Sequence, residues 1–278
     1  MHQWLKSKYD LSDPKLISAI DDLPLWSAPF GLKLLEMVRL KSNITVLDIG
    51  SGSGFPIIEL SQRLGDTCKV YGVDFWPEAV ERSRMKIENW DITNLEIIEG
   101  QAEKLSFNDK YFDLIVSNNG INNVKDDKLV IKEISRVAKP GAQFVFTVNL
   151  PDTMIEFYDI FKKVLKDYNK KIEIQKLEDH IFIKRKPIEY IKKLLETNDF
   201  KINNIHEDVF YLRYANGSVM LNHFLIKLSF LEDWTGLLQS QDVNPIFALV
   251  EKKLNDLASE KGELRLTVPW VCFDCEKE

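Results

Sequence analysis

The sequence predicts an α/β fold in which a largely parallel sheet lies between two layers of helices. Two observations predict it. Between residues 44 and 150, short runs rich in Ile, Val, Leu and Phe alternate with stretches whose apolar residues recur at helical spacing. The runs are almost continuously apolar, as strands covered on both faces must be, and strand–helix alternation of this kind closes into right-handed βαβ units. The 278 residues, 45% hydrophobic and 29% charged, suit one large domain or a domain with substantial insertions.

Residues 1–41 are mostly helical in pattern and carry Trp4, Tyr9 and Trp26. Strands follow at Ile44–Ile49, Lys69–Val73, Leu95–Ile98, Phe112–Val116 and Gln143–Val148. Between them, Ile57, Leu60, Ser61 and Leu64 follow Pro56, and Ala79, Val80, Ser83 and Ile87 follow Pro77, each a helical stripe after a proline suited to a first turn. Leu129, Val130, Ile134 and Val137 mark a further helix, which Pro140-Gly141 closes. Beyond residue 150 a helix with Met154, Phe157, Tyr158, Phe161, Leu165 and Tyr168 on one side opens the span 151–198. A strand at 201–214, helices at 217–230 and 245–261 and a last strand at 264–275 complete the chain. Asn244 is the expected cap of the 245–261 helix, Pro245 its first residue and Gly262 its stop.

Composition narrows the function. With 37 basic and 43 acidic residues the net charge is −6, which argues against a large nucleic-acid surface. The basic stretch 162–186 holds nine Lys/Arg, but four acids are interleaved, and it reads as a solvated face. No apolar run approaches the roughly 18 residues of a membrane helix, and MHQWLKSKYD lacks the apolar core of a signal peptide. A cytoplasmic, non-membrane protein is expected. Cys272 and Cys275 form a CxxC, yet residues three apart on a strand face opposite ways, so buried cysteines are expected and no metal.

The chemistry concentrates in VLDIGSGSG (46–54), a strand running into three alternating glycines and then a helix. Glycines let the backbone turn tightly and let a ligand approach main-chain amides at a helix start. The spacing is wrong for a dinucleotide fingerprint, since Phe55 stands where the third glycine belongs. Asp74 closes the second strand, where a carboxylate can accept from both hydroxyls of a ribose. SNNGINNV (117–124) falls at the end of the fourth strand, where open α/β sheets bind ligands. Asn119-Gly120 there is also a turn dipeptide that tolerates positive φ.

Five blocks in order carry a resemblance: VLDIGSGSG, GVDFWPEAVERSR (72–84), IIEGQAEKLSF (97–107), YFDLIVSNNG (111–120) and ISRVAKPGAQFVFT (134–147). Over about residues 42–150 the chain resembles the class I S-adenosylmethionine-dependent methyltransferases, especially the small-molecule group that includes ubiquinone and menaquinone methyltransferases. The resemblance implies a Rossmann-like, doubly wound, seven-stranded, mostly parallel sheet. It also implies an N-terminal helical cap at 1–41, a cofactor-binding core at 42–150, and a remainder at 151–278 with helical insertions at about 151–198 and 215–262 forming a lid. By position, Asp48 and the loop of Gly50, Ser51, Gly52 and Gly54 would hold the methionine end of S-adenosylmethionine. Asp74 would take the ribose and Phe75 would pack on the adenine. Gln101, where many relatives have Asp, would accept from the adenine amine, Ala102 would offer its N–H, and Asn118 would lie beside the methionine moiety.

The implied reaction is in-line displacement of the sulfonium methyl by a small, partly apolar acceptor. His180, His206 and His223 are candidate bases, and only His223 lies in a segment expected to cover the site. Trp4, Trp26, Tyr158, Tyr211, Tyr214, Phe224, Phe230 and Trp234 could line an aromatic pocket. Trp26, Tyr158, Tyr214 and His223 are the candidates for the acceptor, with Asn119, Asn122 and Asn123 near it. Amides can orient a polar acceptor but cannot act as bases at neutral pH. The run Asn118-Asn-Gly-Ile121 departs from the Asn/Asp-Pro-Pro-Tyr of amide and nucleobase methylating relatives, which counts against those acceptors. A non-catalytic cofactor-binding protein, an aminopropyl transferase and an NAD-dependent oxidoreductase stay as alternatives.

Overall fold

The computed structural model describes residues 12, 13, 18 and 26–278. Most of the predicted N-terminal helical segment, with Trp4 and Tyr9, lies outside the described residues. In chain order come α1 (Ala28–Met37), β1 (Thr45–Ile49), α2 (Ile57–Leu64), β2 (Lys69–Asp74), α3 (Pro77–Asn89), β3 (Leu95–Glu99) and β4 (Phe112–Asn118). A short 3-10 turn (Ile121–Asn123) leads to α4 (Asp127–Val137) and β5 (Ala138–Asn149). There follow α5 (Ile155–Asp167), α6 (Lys171–Lys184), α7 (Ile188–Glu196) and β6 (Phe200–Tyr214). The chain ends with α8 (Gly217–Asn222), α9 (Phe224–Ser229), α10 (Leu231–Gly236), α11 (Ser240–Lys261) and β7 (Leu264–Lys277).

The seven strands lie in the order β3-β2-β1-β4-β5-β7-β6. β1 to β5 pair in parallel, and β7 runs antiparallel to β5. The order reverses at β1, so the carboxyl ends of β1 and β4 flank the crevice where doubly wound sheets take ligands. The chain forms two compact units. A sheet unit comprises 26–150, Lys186–Asp208 and Trp270–Glu278, and a helical unit comprises Pro151–Arg185 and Val209–Pro269.

In the sheet unit the apolar runs do what their composition predicts. Leu47, Ile49, Ile115, Phe144, Phe146 and Phe273 join the apolar stripe of α4 (Val130, Ile134, Val137) in one buried core. Asp126 caps α4, its carboxylate accepting from the N–H groups of Lys128 and Leu129. Cys272 and Cys275 are buried and free on β7, opposite Thr147 and Phe144 of β5. Burial pushes the Cys272 thiol up to about 12. In the helical unit the predicted stripe of α5 supplies the core, except for Tyr168, which is exposed at the end of the helix. Phe157 stacks on Trp234 with centroids 3.8 Å apart, and Phe161 meets Phe247 at 5.3 Å.

Three expectations of detail are corrected. Pro140-Gly141 does not separate helix from strand: α4 runs straight into β5, and the pair sits in an irregularity of that strand, with Gly141 at φ 78°. The span 217–230 is two short helices broken at His223. The last helix begins at Ser240, so Pro245 lies inside it and the Asn244 side chain caps nothing. Packing of Ile246, Phe247, Val250 and Leu254 overrides the proline's lost donor. Among the described residues no helix is long and apolar enough to cross a membrane.

Candidate active site

After β1 the backbone turns through Gly50, Gly52 and Gly54 at φ 77°, 51° and 108°, left-handed values that favour glycine. The N–H groups of this loop are held by the protein itself. Those of Gly50 and Ser51 donate to the Val73 carbonyl at 2.8 and 3.2 Å, and that of Gly54 donates to the Ser51 carbonyl at 2.9 Å. The Gly52 N–H donates to Asp74 Oδ2 at 2.7 Å. From α3, Ser83 Oγ donates to the Gly52 carbonyl at 2.9 Å and Lys86 Nζ to the Ser53 carbonyl at 2.8 Å. Neither residue was expected to take part. Ser83 looked like a member of the helical stripe, and a hydroxyl at a fully buried stripe position was the available signal. A Cβ added at Gly52 would meet nothing within 4 Å, so the loop is open there.

Asp48 lies just before this turn, fully buried, and neither carboxylate oxygen has a hydrogen-bond partner. Burial first, and then the Asp74 carboxylate, raise its carboxyl well above the ordinary range. The buried Ser51 hydroxyl is likewise unpartnered. Asp74 accepts from Gly52 and, through Oδ1, from the Trp76 N–H at 2.9 Å. Burial raises the Asp74 carboxyl too, against the pull of the Trp76, Gly52 and Phe75 amides. Three amides on a carboxylate with about four acceptor sites leave it room for a further donor. Phe75 beside it is 69% exposed, an apolar ring standing in solvent.

The Gly100 N–H donates to the Asp74 carbonyl at 2.9 Å, which brings exposed Gln101 and half-buried Ala102 to the end of β2. Their loop is anchored on α4. Glu133 Oε2 accepts from the Leu105 N–H at 2.9 Å, and Arg136 donates to the carbonyls of Leu105 and Phe107 at 3.1 and 2.8 Å.

A buried carboxylate without a donor suits a cationic ligand group. The methionine end of S-adenosylmethionine, with its ammonium, fits that demand, and a ribose fits the free lone pairs of Asp74. A pyrophosphate does not fit, because the N–H groups of Gly50, Ser51, Gly52 and Gly54 are committed and an anion would face Asp48. That removes the ground for the NAD-dependent alternative.

The amide cluster after β4 is tied up internally. Asn118 Nδ2 donates to the Ser27 carbonyl at 3.1 Å and its Oδ1 accepts from Thr147 Oγ1 at 3.0 Å. Its side chain thus holds the start of α1, next to Trp26, against β4 and β5. Asn119 takes φ 58° and its Oδ1 accepts from the N–H of Asn149 and the amide of Asn122. Asn122 also donates to Asn149 Oδ1, and Asn123 Nδ2 donates to the Asn119 carbonyl at 3.3 Å. Gly120 is not the positive-φ partner of a hairpin turn, since its φ is −72°. It is glycine for close approach: a Cβ there would lie 2.6 Å from the Ile49 carbonyl and 3.3 Å from Gly50 Cα.

The remaining candidates belong to different surroundings. Trp26 meets Phe30 edge-on at 5.6 Å, and Phe30 in turn meets Trp270 at 5.5 Å, in the sheet unit. Tyr158, Tyr214 and His223 lie in the helical unit. The Tyr214 ring meets His223 at 5.3 Å, and burial pushes its hydroxyl up to about 12. His223 caps α9, its Nδ1 accepting from the Leu225 N–H at 3.3 Å. Burial lowers its pKa. With Nδ1 engaged by the cap, Nε2 is the ring nitrogen left for another partner. At His223, expected as a candidate base, the structure shows a helix cap through Nδ1.

The sheet order, the antiparallel β7 and the glycine turn before an acidic end of β2 define the class I methyltransferase fold. Residues 40–204, more than half of the chain, match the family model described as a methyltransferase domain, and the chain belongs to that family. The demethylmenaquinone methyltransferase of Bacillus mycoides is 32% identical over 123 residues, 44% of this chain and 52% of the relative. The chain thus spans about half the length of the curated relatives it matches. Among solved structures, the YcgJ protein from Bacillus subtilis is similar with a TM-score of 0.61 at 15% identity, over 90% of this chain and 99% of the other. Geranyl diphosphate C-methyltransferase from Streptomyces coelicolor, solved with S-adenosyl-L-homocysteine, has a TM-score of 0.56 at 12% identity, over 100% and 90% of the two chains. At these identities the structures speak to the fold.

Proposed function

We propose that the protein is an S-adenosylmethionine-dependent methyltransferase acting on a small, partly apolar acceptor. The observation that carries this reading is Asp48, a fully buried carboxylate with two unpartnered oxygens at the glycine turn. Family membership and the S-adenosyl-L-homocysteine bound by the Streptomyces neighbour support the cofactor. The demethylmenaquinone methyltransferase relatives support an acceptor with an apolar part.

When bound, S-adenosylmethionine supplies an activated methyl group that a nucleophile displaces in line. The chain contributes binding and alignment. Asp48 accepts from the cofactor's ammonium, Asp74 from the ribose hydroxyls, and Phe75 covers the adenine ring. The Gln101 amide oxygen and the Ala102 N–H meet the adenine edge, while Gly50, Ser51, Gly52 and Gly54 give the backbone its close approach. Asn118 acts by position, holding α1 at the end of β4. The sheet unit binds the cofactor.

Calorimetric titration with S-adenosyl-L-homocysteine and with NAD tests the cofactor, and radiolabelled methyl transfer to a panel of small acids, phenols and quinols tests the reaction. Tighter binding of NAD, or no binding of S-adenosyl-L-homocysteine, would overturn the reading. Tight S-adenosyl-L-homocysteine binding without transfer to any acceptor would favour the non-catalytic alternative.

A further inference from the structure

Within the helical unit, Arg185 at the end of α6 is 3% exposed, and among the described residues no ion pair offsets its charge. Its Nη1 donates to the Tyr158 hydroxyl at 3.0 Å, and its guanidinium lies 5.2 Å from the centre of that ring. Its Nε is buried without any hydrogen-bond partner. A guanidinium binds a carboxylate through two parallel N–H groups, and the Nε–Nη2 edge is one of the two that can do so. Nη1, the nitrogen outside that edge, is the one engaged by Tyr158.

Tyr158 is equally suggestive. It is 3% exposed, and its oxygen accepts from Trp234 Nε1 at 3.0 Å as well as from Arg185. Two donors occupy the two lone pairs of the phenol, so its own proton must go to an acceptor, and none is present among the described residues. Asp233, the nearest acid by sequence to Trp234, is paired instead with Lys184 at 3.5 Å. His180, also on α6, adds no negative charge. A buried cation with an open bidentate edge, next to a buried hydroxyl whose proton is uncommitted, lacks an anion.

We propose that Arg185 and Tyr158 form a binding site in the helical unit for a small carboxylic acid with an apolar body. The Nε–Nη2 edge grips the carboxylate in bidentate fashion, the Tyr158 proton offers a third bond, and Trp234 fixes the Tyr158 oxygen. The site stands independently of the methyltransferase reading.

The test uses the full chain and benzoate as probe, with inorganic phosphate as the second anion and S-adenosyl-L-homocysteine as the control ligand. Benzoate is expected to raise the melting temperature of the protein. Arg185→Lys, which keeps the charge but loses the fork, should weaken benzoate binding roughly 10-fold or more, and Tyr158→Phe several-fold. Affinity for S-adenosyl-L-homocysteine should stay within about twofold in both variants, which shows that they fold. Arg185→Met should melt higher than the parent in the absence of benzoate, because it removes an uncompensated buried charge.

No benzoate binding by the parent, or binding unchanged in Arg185→Lys and Tyr158→Phe, would overturn the proposal. Binding of phosphate but not benzoate would overturn the assignment to a carboxylate. Failure to bind S-adenosyl-L-homocysteine would sink the methyltransferase reading and leave the anion site to stand or fall on the benzoate titration.

Discussion

Replacing Asp48 with Asn should move stability and cofactor affinity in opposite directions. The carboxylate is fully buried with both oxygens unpartnered, and burial together with Asp74 raises its pKa. A group whose folded pKa is raised contributes stability that is full below its unfolded pKa and is lost as pH rises through the folded value. At neutral pH the ligand-free protein therefore bears the cost of keeping this carboxyl buried and unpaired. Asn removes the charge but keeps an unsatisfied amide, so the expected gain is about 1–2 kcal/mol. At about 2–4 °C per kcal/mol for a chain of this size, the ligand-free variant should melt roughly 2–8 °C higher.

Binding should suffer at the same time. Losing a hydrogen bond to a charged group costs about 1.5–3 kcal/mol, or roughly 10- to 150-fold in the dissociation constant of S-adenosyl-L-homocysteine. Differential scanning fluorimetry and calorimetric titration read the two effects. The parent should also bind more weakly as pH falls through the raised pKa of Asp48, because a protonated carboxyl cannot pair with an ammonium. Asp48→Asn should show little of that dependence. A variant that melts lower than the parent and binds S-adenosyl-L-homocysteine with unchanged affinity would refute the assignment.

Three further outcomes separate binding from folding. Phe75 is 69% exposed, so Phe75→Ala should leave stability within about 0.5 kcal/mol. It should still weaken cofactor binding by about 1 kcal/mol through lost stacking, measured by the same titration. His223→Ala should cost about 1 kcal/mol in chemical denaturation by removing the cap on α9, and His223→Asn should restore most of it. Neither should alter the pH profile of methyl transfer. Gly120→Ala forces a Cβ to 2.6 Å from the Ile49 carbonyl, and should cost about 1–3 kcal/mol with a loss of cofactor affinity as Gly50 shifts.

The parts of this fold legible in the sequence are those where local pattern and tertiary demand agree. β1, β2, β4 and β5 are buried on both faces, so continuous apolar runs locate them. Glycines at positive φ and the acids beside them mark the turn for the same reason: few residue types meet those demands. Where tertiary packing decides, local signals mislead. Pro245 sits inside α11 because the buried face of that helix outweighs one missing donor, and Pro140-Gly141 is absorbed by an irregular strand. The asparagines after β4 show a different limit. Composition revealed a polar cluster, but not that Asn118, Asn119 and Asn122 would be committed to Ser27, Thr147 and Asn149. Hydrogen bonds between residues about 30 to 90 positions apart leave no local trace.

Charge ties the two units together in function. Among the described residues, the sheet unit buries a carboxylate with no cation, and the helical unit buries a guanidinium with no anion. Each is destabilising alone, and neither is needed to fold a sheet or a helix bundle, since apolar residues of similar volume would serve. Such charges fit a protein that binds one ligand with a cationic group and another with an anionic one. Each ligand then supplies the missing counter-charge of one unit, and binding of each should stabilise the protein on its own. In Asp48→Asn the stabilisation by S-adenosyl-L-homocysteine should shrink while that by benzoate persists. In Arg185→Lys the pattern should reverse, and a protein in which both variants lose both responses would have a single shared defect rather than two charge-defined sites.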